Sequence, residues 1–359
     1  MLPVRVLVVD DSVAVRKLIS DALADSSDVQ LVGTASNGPI ALAKIPQLNP
    51  DVITLDTEMP GMDGIATLTE IRRLYPRLPV IMFSTVTEMG AAITIQALAA
   101  GASDYMTQPG TIESLAAMME QVRRELVARI LSLVNGEVRE ASFAGPQARL
   151  RERKWPGTCP VEIVAIGAST GGPTALAEIL PRLPADLPVP IVIVQHMPPL
   201  FTRFLSERLD SQSALKVREA EQGKVLQSGD VWIALGGHHL TIARKGAERF
   251  LELNQDPPEN SCRPAVDVLF RSVAETYGSG ALAIVLTGMG VDGARGAAHI
   301  RNAGGEVLVQ DKQSSVVWGM PGAVVSAGVA DSVCPLPEIA AEIVRRVKAG
   351  RVRAAAVGS

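Results

Sequence analysis

Blocks of apolar and polar residues alternate along the first 130 residues of the chain. Five short apolar runs end at residues 10, 35, 56, 84 and 107 (VRVLVVDD, VQLVGTA, DVITLD, PVIMFS and DYMT). Between them, apolar residues recur at helical spacing, as in VAVRKLISDALA at residues 13–24. Regular alternation of strand and helix predicts a doubly wound parallel sheet, whose ligands bind at the carboxyl ends of the strands.

A second α/β series runs from about residue 160 to 350. Its apolar runs are VEIVAIG, PIVIVQH, ALAIVLTG and GEVLVQD, and residues 264–277 have helical spacing. Residues 215–253 have a β-rich pattern that predicts an insertion into this series. We therefore predict two α/β domains, at 1–128 and 159–350, with a polar linker at 129–158 and a tail at 351–359. Within the linker, RLRERK fits either a docking patch or a solvated helical face.

Composition narrows the class of protein. The 359 residues are 47% hydrophobic and carry a formal net charge of −4, which argues against nucleic acid as the main partner. No apolar run approaches the roughly 20 residues of a membrane span, and the first residues lack the layout of a signal peptide. The three cysteines are too scattered for a zinc motif or a disulfide framework. We expect a cytoplasmic protein with reduced cysteines and no direct membrane insertion.

Acidic residues stand at the ends of two predicted strands. Asp10 and Asp11 follow the first strand, and Asp56 ends the third within LDTEMPGMDG. Carboxylates brought together repel one another unless a cation holds them, and hard oxygen ligands suit Mg²⁺. The alternative, that each aspartate caps a helix or begins a turn, accounts for one such residue better than for three.

Ser169 stands in a glycine-rich turn. Residues 167–171, GASTG, follow a buried run and precede Pro173, which favours a helix start. The pattern fits a nucleophile elbow, which exposes a serine hydroxyl at a strand-to-helix turn, and it also suits a loop that binds phosphate. A G-x-G-x-x-G dinucleotide fingerprint is absent from this stretch.

A nucleophilic serine needs a base and a group that orients the base. His196 ends PIVIVQH, the strand after the Ser169 unit, and consecutive parallel strands tend to be neighbours. Asp292 in LTGMGVDGARG follows another buried strand. Both residues also have a purely structural interpretation: His196 as a structural histidine at a strand end, and Asp292 as a cap of the helix after it. Together they offer a serine, a histidine and an aspartate at one sheet edge.

Residues 4–128 resemble a response-regulator receiver domain, on the strength of the DD pair and LDTEMPGMDG. The resemblance implies a five-stranded, flavodoxin-like fold in which Asp56 accepts a phosphoryl group. It also implies that Asp10, Asp11, Asp56 and the backbone carbonyl of Glu58 hold Mg²⁺.

The same resemblance implies a switch, with Ser84 as its hydroxyl and Tyr105 as its aromatic side chain. One position departs from the family pattern. Receivers place a lysine before the proline that follows the fifth strand, but here the segment is YMTQP and Gln108 stands there. Glutamine donates hydrogen bonds but carries no charge, so compensation of the phosphoryl charge is weaker.

Residues 160–345 resemble the catalytic domain of the chemotaxis protein-glutamate methylesterases. The resemblance rests on GASTGGP, VQHMPPLFTRFLSERL, CRPAVDVLFRSV, LTGMGVDGARG and VVWGMP, in that order. It implies that Ser169 is the nucleophile, His196 the base and then the acid, and Asp292 the orienting carboxylate. The backbone amide of Met289 would contribute to the oxyanion hole, with Thr170 as a site neighbour.

The two resemblances together imply a phosphorylation-controlled esterase. It would release methanol from glutamate methyl esters of chemoreceptors, deamidate some receptor glutamines, and need no cofactor for the esterase reaction. A histidine kinase would phosphorylate the receiver, which covers the active-site edge until then. Two alternatives stay open at this point: a non-enzymatic module that binds a receptor or kinase, and a hydrolase for some other ester.

Overall fold

The computed structural model describes residues 2–108, 115–135 and 160–357. The chain divides into two compact units, residues 1–138 and 139–359, and each is considered by itself.

The first unit is one parallel sheet with helices after its strands. Its elements are β1 (Val4–Val9), α1 (Val13–Ala24), β2 (Val29–Ala35), α2 (Gly38–Leu48), β3 (Val52–Asp56), α3 (Gly64–Leu74), β4 (Val80–Ser84), α4 (Glu88–Ala99), β5 (Asp104–Thr107) and α5 (Leu115–Asn135). The strand order is β2-β1-β3-β4-β5, and every pair is parallel. The predicted doubly wound sheet is confirmed.

Burial explains why these runs become strands. β3 and β4 are buried at every position, as central strands covered on both faces must be. Four helices begin where a polar side chain accepts a backbone N–H of the first turn: Ser12, Asn37, Asp63 and Thr87.

Helix α5 extends beyond the predicted domain boundary at residue 128. Val122, Leu126 and Ile130 are fully buried in the core of the first unit, and their spacing of four carries the apolar face past the boundary. The first residues assigned to the linker are therefore helical, up to Asn135. Residues 136–158, including RLRERK, lie outside the described residues.

The second unit has a seven-stranded parallel sheet and a separate hairpin. Its elements are β6 (Ile163–Ala168), α6 (Gly172–Ile179), β7 (Ile191–Gln195), α7 (Phe201–Gln212), β8 (Lys216–Glu219), β9 (Asp230–Ile233), β10 (His239–Lys245), β11 (Glu248–Asn254), α8 (Val266–Tyr277), β12 (Ala281–Val285), α9 (Ala294–Asn302), β13 (Glu306–Gln310), α10 (Gly319–Ser326), β14 (Ser332–Cys334) and α11 (Leu336–Val357). The sheet order is β14-β13-β12-β6-β7-β9-β8. The predicted second α/β sheet is confirmed.

The region predicted as a β-rich insertion has two parts. β8 and β9 continue the parallel sheet at its edge, so this part extends the main fold. Only β10 and β11 form a separate antiparallel hairpin. The hairpin packs Leu240, Ile242 and Leu251 into the same core as Leu269 and Phe270 of α8.

The final helix also passes a predicted boundary. α11 continues through residue 350 to Val357, which takes in most of the predicted tail; its sequence there, RVRAAAV, is rich in strong helix formers. Among the helices that the structure describes, none combines the length and apolar content of a bilayer crossing.

Candidate functional site

Ser169 stands at a tight turn between β6 and α6. Its backbone N–H donates to the carbonyl of Thr287 (3.0 Å), and its carbonyl accepts from the N–H of Gly172 (2.8 Å). Gly171 has a φ of +78°, and a Cβ there would lie 2.7 Å from the side chain of Val316. Ser169 is half-buried. The strand–turn–helix context expected of a nucleophile elbow is confirmed.

His196 follows the neighbouring strand. β6 and β7 pair in parallel with Ala168 opposite Gln195, and the N–H of His196 donates to the carbonyl of Ala168 (3.1 Å). The side chain of Gln195 also donates to the carbonyl of Ser169 (3.0 Å). The prediction that the serine and histidine strands are neighbours is confirmed.

Asp292 binds the ring of His196. The distance from Nε2 to Oδ2 is 2.8 Å, and only 11% of the histidine side chain and 2% of the aspartate side chain are exposed. A carboxylate accepts, so Nε2 carries a hydrogen and Nδ1 of the neutral ring has the free lone pair. In the common serine triad the base nitrogen is Nε2, whereas here it would be Nδ1. Nδ1 lies 3.6 Å from the Sγ of Cys262.

The capping interpretation of Asp292 turns out to concern a different helix. The helix that follows it, α9, begins at Ala294, and no side chain accepts from its first turn at the capping position, Gly293. Asp292 accepts instead from the backbone N–H groups of Val266 (2.6 Å) and Asp267 (3.0 Å), in the first turn of α8. Burial raises its pKa, but the hydrogen bond and charge of His196 and these amides outweigh burial and lower it. Asp292 therefore caps α8 and binds the histidine at the same time.

The loop after β12 brings backbone amides to the serine. The N–H of Gly288 donates to the carbonyl of Val317 (3.0 Å), and a Cβ on Gly288 would lie 2.8 Å from the Cβ of Ser169. Among the described residues no partner accepts from the N–H of Met289. Thr170 is buried, and its carbonyl accepts from the hydroxyl of Thr287 (2.9 Å). The Met289 amide therefore has the availability that an oxyanion-hole donor needs.

The three other histidines bond backbone groups in their own surroundings. His238 contacts the carbonyl of Gly236 (3.5 Å), and exposed His299 contacts that of Arg295 (2.9 Å). Buried His239 contacts the carbonyl of Pro257 (3.2 Å). These bonds are typical of structural histidines.

Two further residues at the site carried no local pattern that could reveal them. Cys262 lies against His196, and Asn260 donates to Asp292 (2.9 Å). Both belong to a turn just before α8. Their positions depend on the path of that turn, which periodicity does not encode.

The acidic residues of the first unit form a cluster. Carboxylate oxygens of Asp10, Asp11 and Asp56 all lie within 4.8 Å of one another. Burial and then the charge of Asp10 raise the pKa of Asp56 to about 7, and burial raises the pKa of Asp10 to about 6. One buried oxygen of Asp10, Oδ2, has no hydrogen-bond partner. Three carboxylates lie close together, two of them are largely buried, and one buried oxygen has no hydrogen-bond donor. Such a group of oxygen ligands is suited to a hard divalent cation.

The predicted switch residues lie on or directly after β4 and β5, the two strands on the side of β3 away from β1. Ser84 is fully buried, and its hydroxyl donates to the carbonyl of Gly90 (3.1 Å). Tyr105 is buried too, and desolvation raises the pKa of its phenol. The N–H of Gln108 donates to the carbonyl of Ser84 (2.7 Å). The backbone of Gln108 is therefore attached to the carboxyl end of β4, the strand that pairs with β3 at Asp56. Glu58 donates its N–H to Asp56 (3.3 Å).

Two family models match the chain. The CheB methylesterase model matches residues 164–343, and the model of the response regulator receiver domain matches residues 6–120. The first span contains the Ser169 site, and the second contains the acidic cluster.

Proteins from several organisms are similar over nearly the whole length. A protein-glutamate methylesterase/protein-glutamine glutaminase of Trichodesmium erythraeum (strain IMS101) is 51% identical, covering 96% of this chain and 99% of the relative. One of Nocardioides sp. (strain ATCC BAA-499 / JS614) is also 51% identical, covering 96% and 95%. The crystal structure of the Thermotoga maritima CheB methylesterase catalytic domain is 45% identical with a TM-score of 0.51, covering 52% of this chain and 98% of that chain.

Proposed function

Since the chain belongs to the CheB methylesterase family and carries a receiver domain, we propose that Ser169, His196 and Asp292 are its catalytic residues. The protein is a receiver-linked protein-glutamate methylesterase and glutaminase, a hydrolase of chemotaxis. Its proposed substrates are glutamate methyl esters and certain glutamines on the cytoplasmic helices of chemoreceptors. The cytoplasm is the proposed place of reaction.

The first chemical step is acyl transfer to the serine. Nδ1 of His196 takes the hydroxyl proton while Oγ of Ser169 attacks the ester carbonyl carbon. Asp292 holds Nε2–H and stabilises the imidazolium that forms. The proton then passes to the departing methoxide, which leaves as methanol, and an acyl-enzyme remains on Ser169.

The second step is hydrolysis of the acyl-enzyme. His196 removes a proton from water, the resulting hydroxide adds to the acyl carbon, and Ser169 departs with the proton returned from the ring. The glutamate carboxylate is restored. With glutamine as substrate the same attack expels ammonia in place of methanol. In both steps the N–H of Met289 would donate to the oxyanion.

One observation carries this assignment: the buried bond of 2.8 Å between His196 and Asp292 lies beside the turn that presents Ser169. The deciding experiment measures methanol released from methylated chemoreceptor membranes by the full chain. A protein that binds these membranes but releases no methanol would be the non-enzymatic module instead. Release from small methyl esters but not from methylated receptors would indicate a hydrolase with another substrate.

The receiver supplies control. We propose that the Asp56 carboxylate takes a phosphoryl group from a phosphohistidine of a histidine kinase, and that phosphorylation raises the esterase rate. Asp10, Asp11, Asp56 and the carbonyl of Glu58 would hold Mg²⁺. When bound there, Mg²⁺ supplies positive charge that offsets the carboxylates and the phosphoryl group.

Esterase activity should rise with pH through the neutral range. Burial lowers the pKa of His196, but the ring's hydrogen bonds to Asp292 and Cys262 outweigh burial and raise it to about 10. The base must be neutral, and below its pKa the neutral fraction grows about tenfold per pH unit. We expect kcat/KM to climb steeply from pH 6 to pH 8 and to continue above. Cys262→Ala removes one of the two hydrogen bonds that raise the pKa of His196. In this variant the rise of kcat/KM with pH should therefore occur at lower pH than in the wild type. Superimposable profiles would contradict this.

Replacing Gln108 with lysine should increase the stimulation of the esterase by a small-molecule phosphodonor. An ammonium at this position adds a charge-assisted hydrogen bond to the phosphoryl group, which is about twice as strong as a neutral one. A gain of about 1–2 kcal/mol corresponds to about a five- to thirtyfold change in the active population. Methanol release with and without phosphodonor measures it, with little change expected in the unstimulated rate.

The matched control for this prediction is Gln108→Met, which keeps the length of the side chain without a charge. Phosphorylation of Asp56 must be equal in all proteins compared. If lysine, methionine and glutamine then give the same stimulation, a charge at this position is dispensable in this chain.

A further inference from the structure

A strained turn precedes α8. Glu259 and Cys262 exchange backbone hydrogen bonds (3.1 and 2.9 Å), and the two residues between them have positive φ, +52° for Asn260 and +62° for Ser261. Two left-handed central residues are the geometry of a type I′ turn, which usually contains glycine. Neither residue here is glycine. Strain at non-glycine positions is found where the surrounding structure imposes it, often at functional sites.

Asn260 joins two buried carboxylates. Its Nδ2 donates one hydrogen to Oδ1 of Asp292 and the other to Oδ2 of Asp267, each at 2.9 Å. Only 2% of Asp292 and 1% of Asp267 are exposed. Like charges in a buried site repel, and a shared amide with two donors offsets part of that repulsion. Asparagine is also the non-glycine residue that best tolerates a left-handed backbone.

The two oxygens of Asp292 have separate partners. Oδ2 accepts from His196 and from the N–H of Val266, whereas Oδ1 accepts from Asn260 and from the N–H groups of Asp267 and Gly293. Asn260 provides the only side-chain donor to Oδ1 among the described residues. Together with these two N–H groups, it helps to hold the plane of the carboxylate in which Oδ2 meets the histidine.

The turn itself is anchored at both ends. Glu259 forms a two-pronged ion pair with Arg271 of α8 (2.8 and 2.6 Å). Cys262, at the other end, contacts Nδ1 of His196 (3.6 Å). The turn is thus held against α8 and against the catalytic ring.

We propose that Asn260 is a positioning residue of the esterase, which holds the Asp292 carboxylate in the orientation that serves His196. The proposal rests on the proposed roles of Ser169, His196 and Asp292. Asn260 does not touch the substrate in this role, and the strain of the turn is tolerated because it delivers the amide between the two carboxylates.

The test compares Asn260→Gly with Ser261→Gly in the full chain. Both variants put glycine at a left-handed position, where it is unstrained, but only the first removes the bridging amide. Ser261 is exposed. Loss of a residue that orients a metal-ligating side chain costs about tenfold to a hundredfold in activity, and this sets the scale for a residue that orients Asp292. We expect Asn260→Gly to lower kcat for methyl ester hydrolysis by about that factor with KM unchanged within about twofold. Ser261→Gly should keep the wild-type kcat.

A second readout does not depend on turnover. The Nε2–H proton of His196, bonded to a buried carboxylate, should give a downfield proton NMR signal that His196→Gln removes. Asn260→Gly should weaken or shift this signal, and Ser261→Gly should preserve it. Equal kcat and an unchanged signal in the two folded glycine variants would overturn the positioning role. Ser169→Ala is run in parallel: activity that persists without the serine would instead overturn the proposed function.

Discussion

Ser169→Ala should lower the rate of methanol release from methylated receptors by about four to six orders of magnitude. Loss of the nucleophile removes the acyl-enzyme route, and only the oxyanion donors and substrate binding remain to assist water. Stability should be almost unchanged, because no side-chain hydrogen bond of Ser169 holds the described structure together. Methanol release and the thermal unfolding midpoint are the two measurements.

The control for this substitution is Ser261→Ala, an exposed serine in the same unit. It should keep wild-type activity. Phosphorylation of Asp56 should be intact in both proteins, since the receiver is a separate compact unit. If Ser169→Ala retains more than about a tenth of the wild-type rate, Ser169 is not the nucleophile.

Asp292→Asn should lose both activity and stability. The neutral amide holds the wrong tautomer of His196, and loss of a triad aspartate in this way costs about 10⁴ in kcat. In the wild type the carboxylate accepts from two backbone N–H groups of α8. The NH₂ group of asparagine cannot accept, so it leaves such an N–H donor unpaired. Leaving buried donors unpaired should lower the free energy of unfolding by about 2–4 kcal/mol. Denaturant unfolding followed by circular dichroism measures this change.

The comparison variant is Asp186→Asn, which changes an exposed aspartate of the same unit. Its activity and stability should match those of the wild type. Measuring both activity and stability in the two variants separates the proposed role of Asp292 in catalysis from its role in stabilising α8. An inactive Asp292→Asn protein with wild-type stability would mean that the carboxylate serves catalysis alone and that its bonds to α8 contribute little.

The receiver strands were predictable to within a residue or two. Central strands such as β3 and β4 are buried on both faces, so their apolar runs are continuous and end abruptly at polar residues. The same logic located the strands before Ser169, His196 and Asp292. Adjacency of parallel strands then brought serine and histidine together, as the sheet confirms.

The edge of the second sheet was not predictable in the same way. β8 and β9 are short, and β8 alternates buried and exposed residues (KVRE), a pattern typical of antiparallel strands. Edge strands of a parallel sheet have one side open to water, so their pattern does not distinguish the two cases. The prediction of one β-rich insertion therefore merged two sheet strands with a true hairpin.

The supporting residues of the site lay beyond sequence reasoning for another reason. Asn260 and Cys262 reach Asp292 and His196 through a turn with two positive φ angles. Their partners are 32 and 66 positions away along the chain. Similarly, the sequence suggested Asp292 as a cap of the helix that follows it, whereas the first-turn N–H groups that it accepts from belong to α8, which begins at Val266 and precedes it in the sequence.

The strand order of the second unit has a consequence for the thermal inactivation of the enzyme. Ser169, His196 and Asp292 follow β6, β7 and β12, three adjacent strands in the middle of seven, while the short strands β14 and β8 form the borders. Local opening begins at borders and loops, and central strands separate only when the whole unit loses its structure. Fraying at either border leaves the three loops that carry these residues in place. Thermal inactivation of the esterase should therefore be a single cooperative event that coincides with melting of the central sheet.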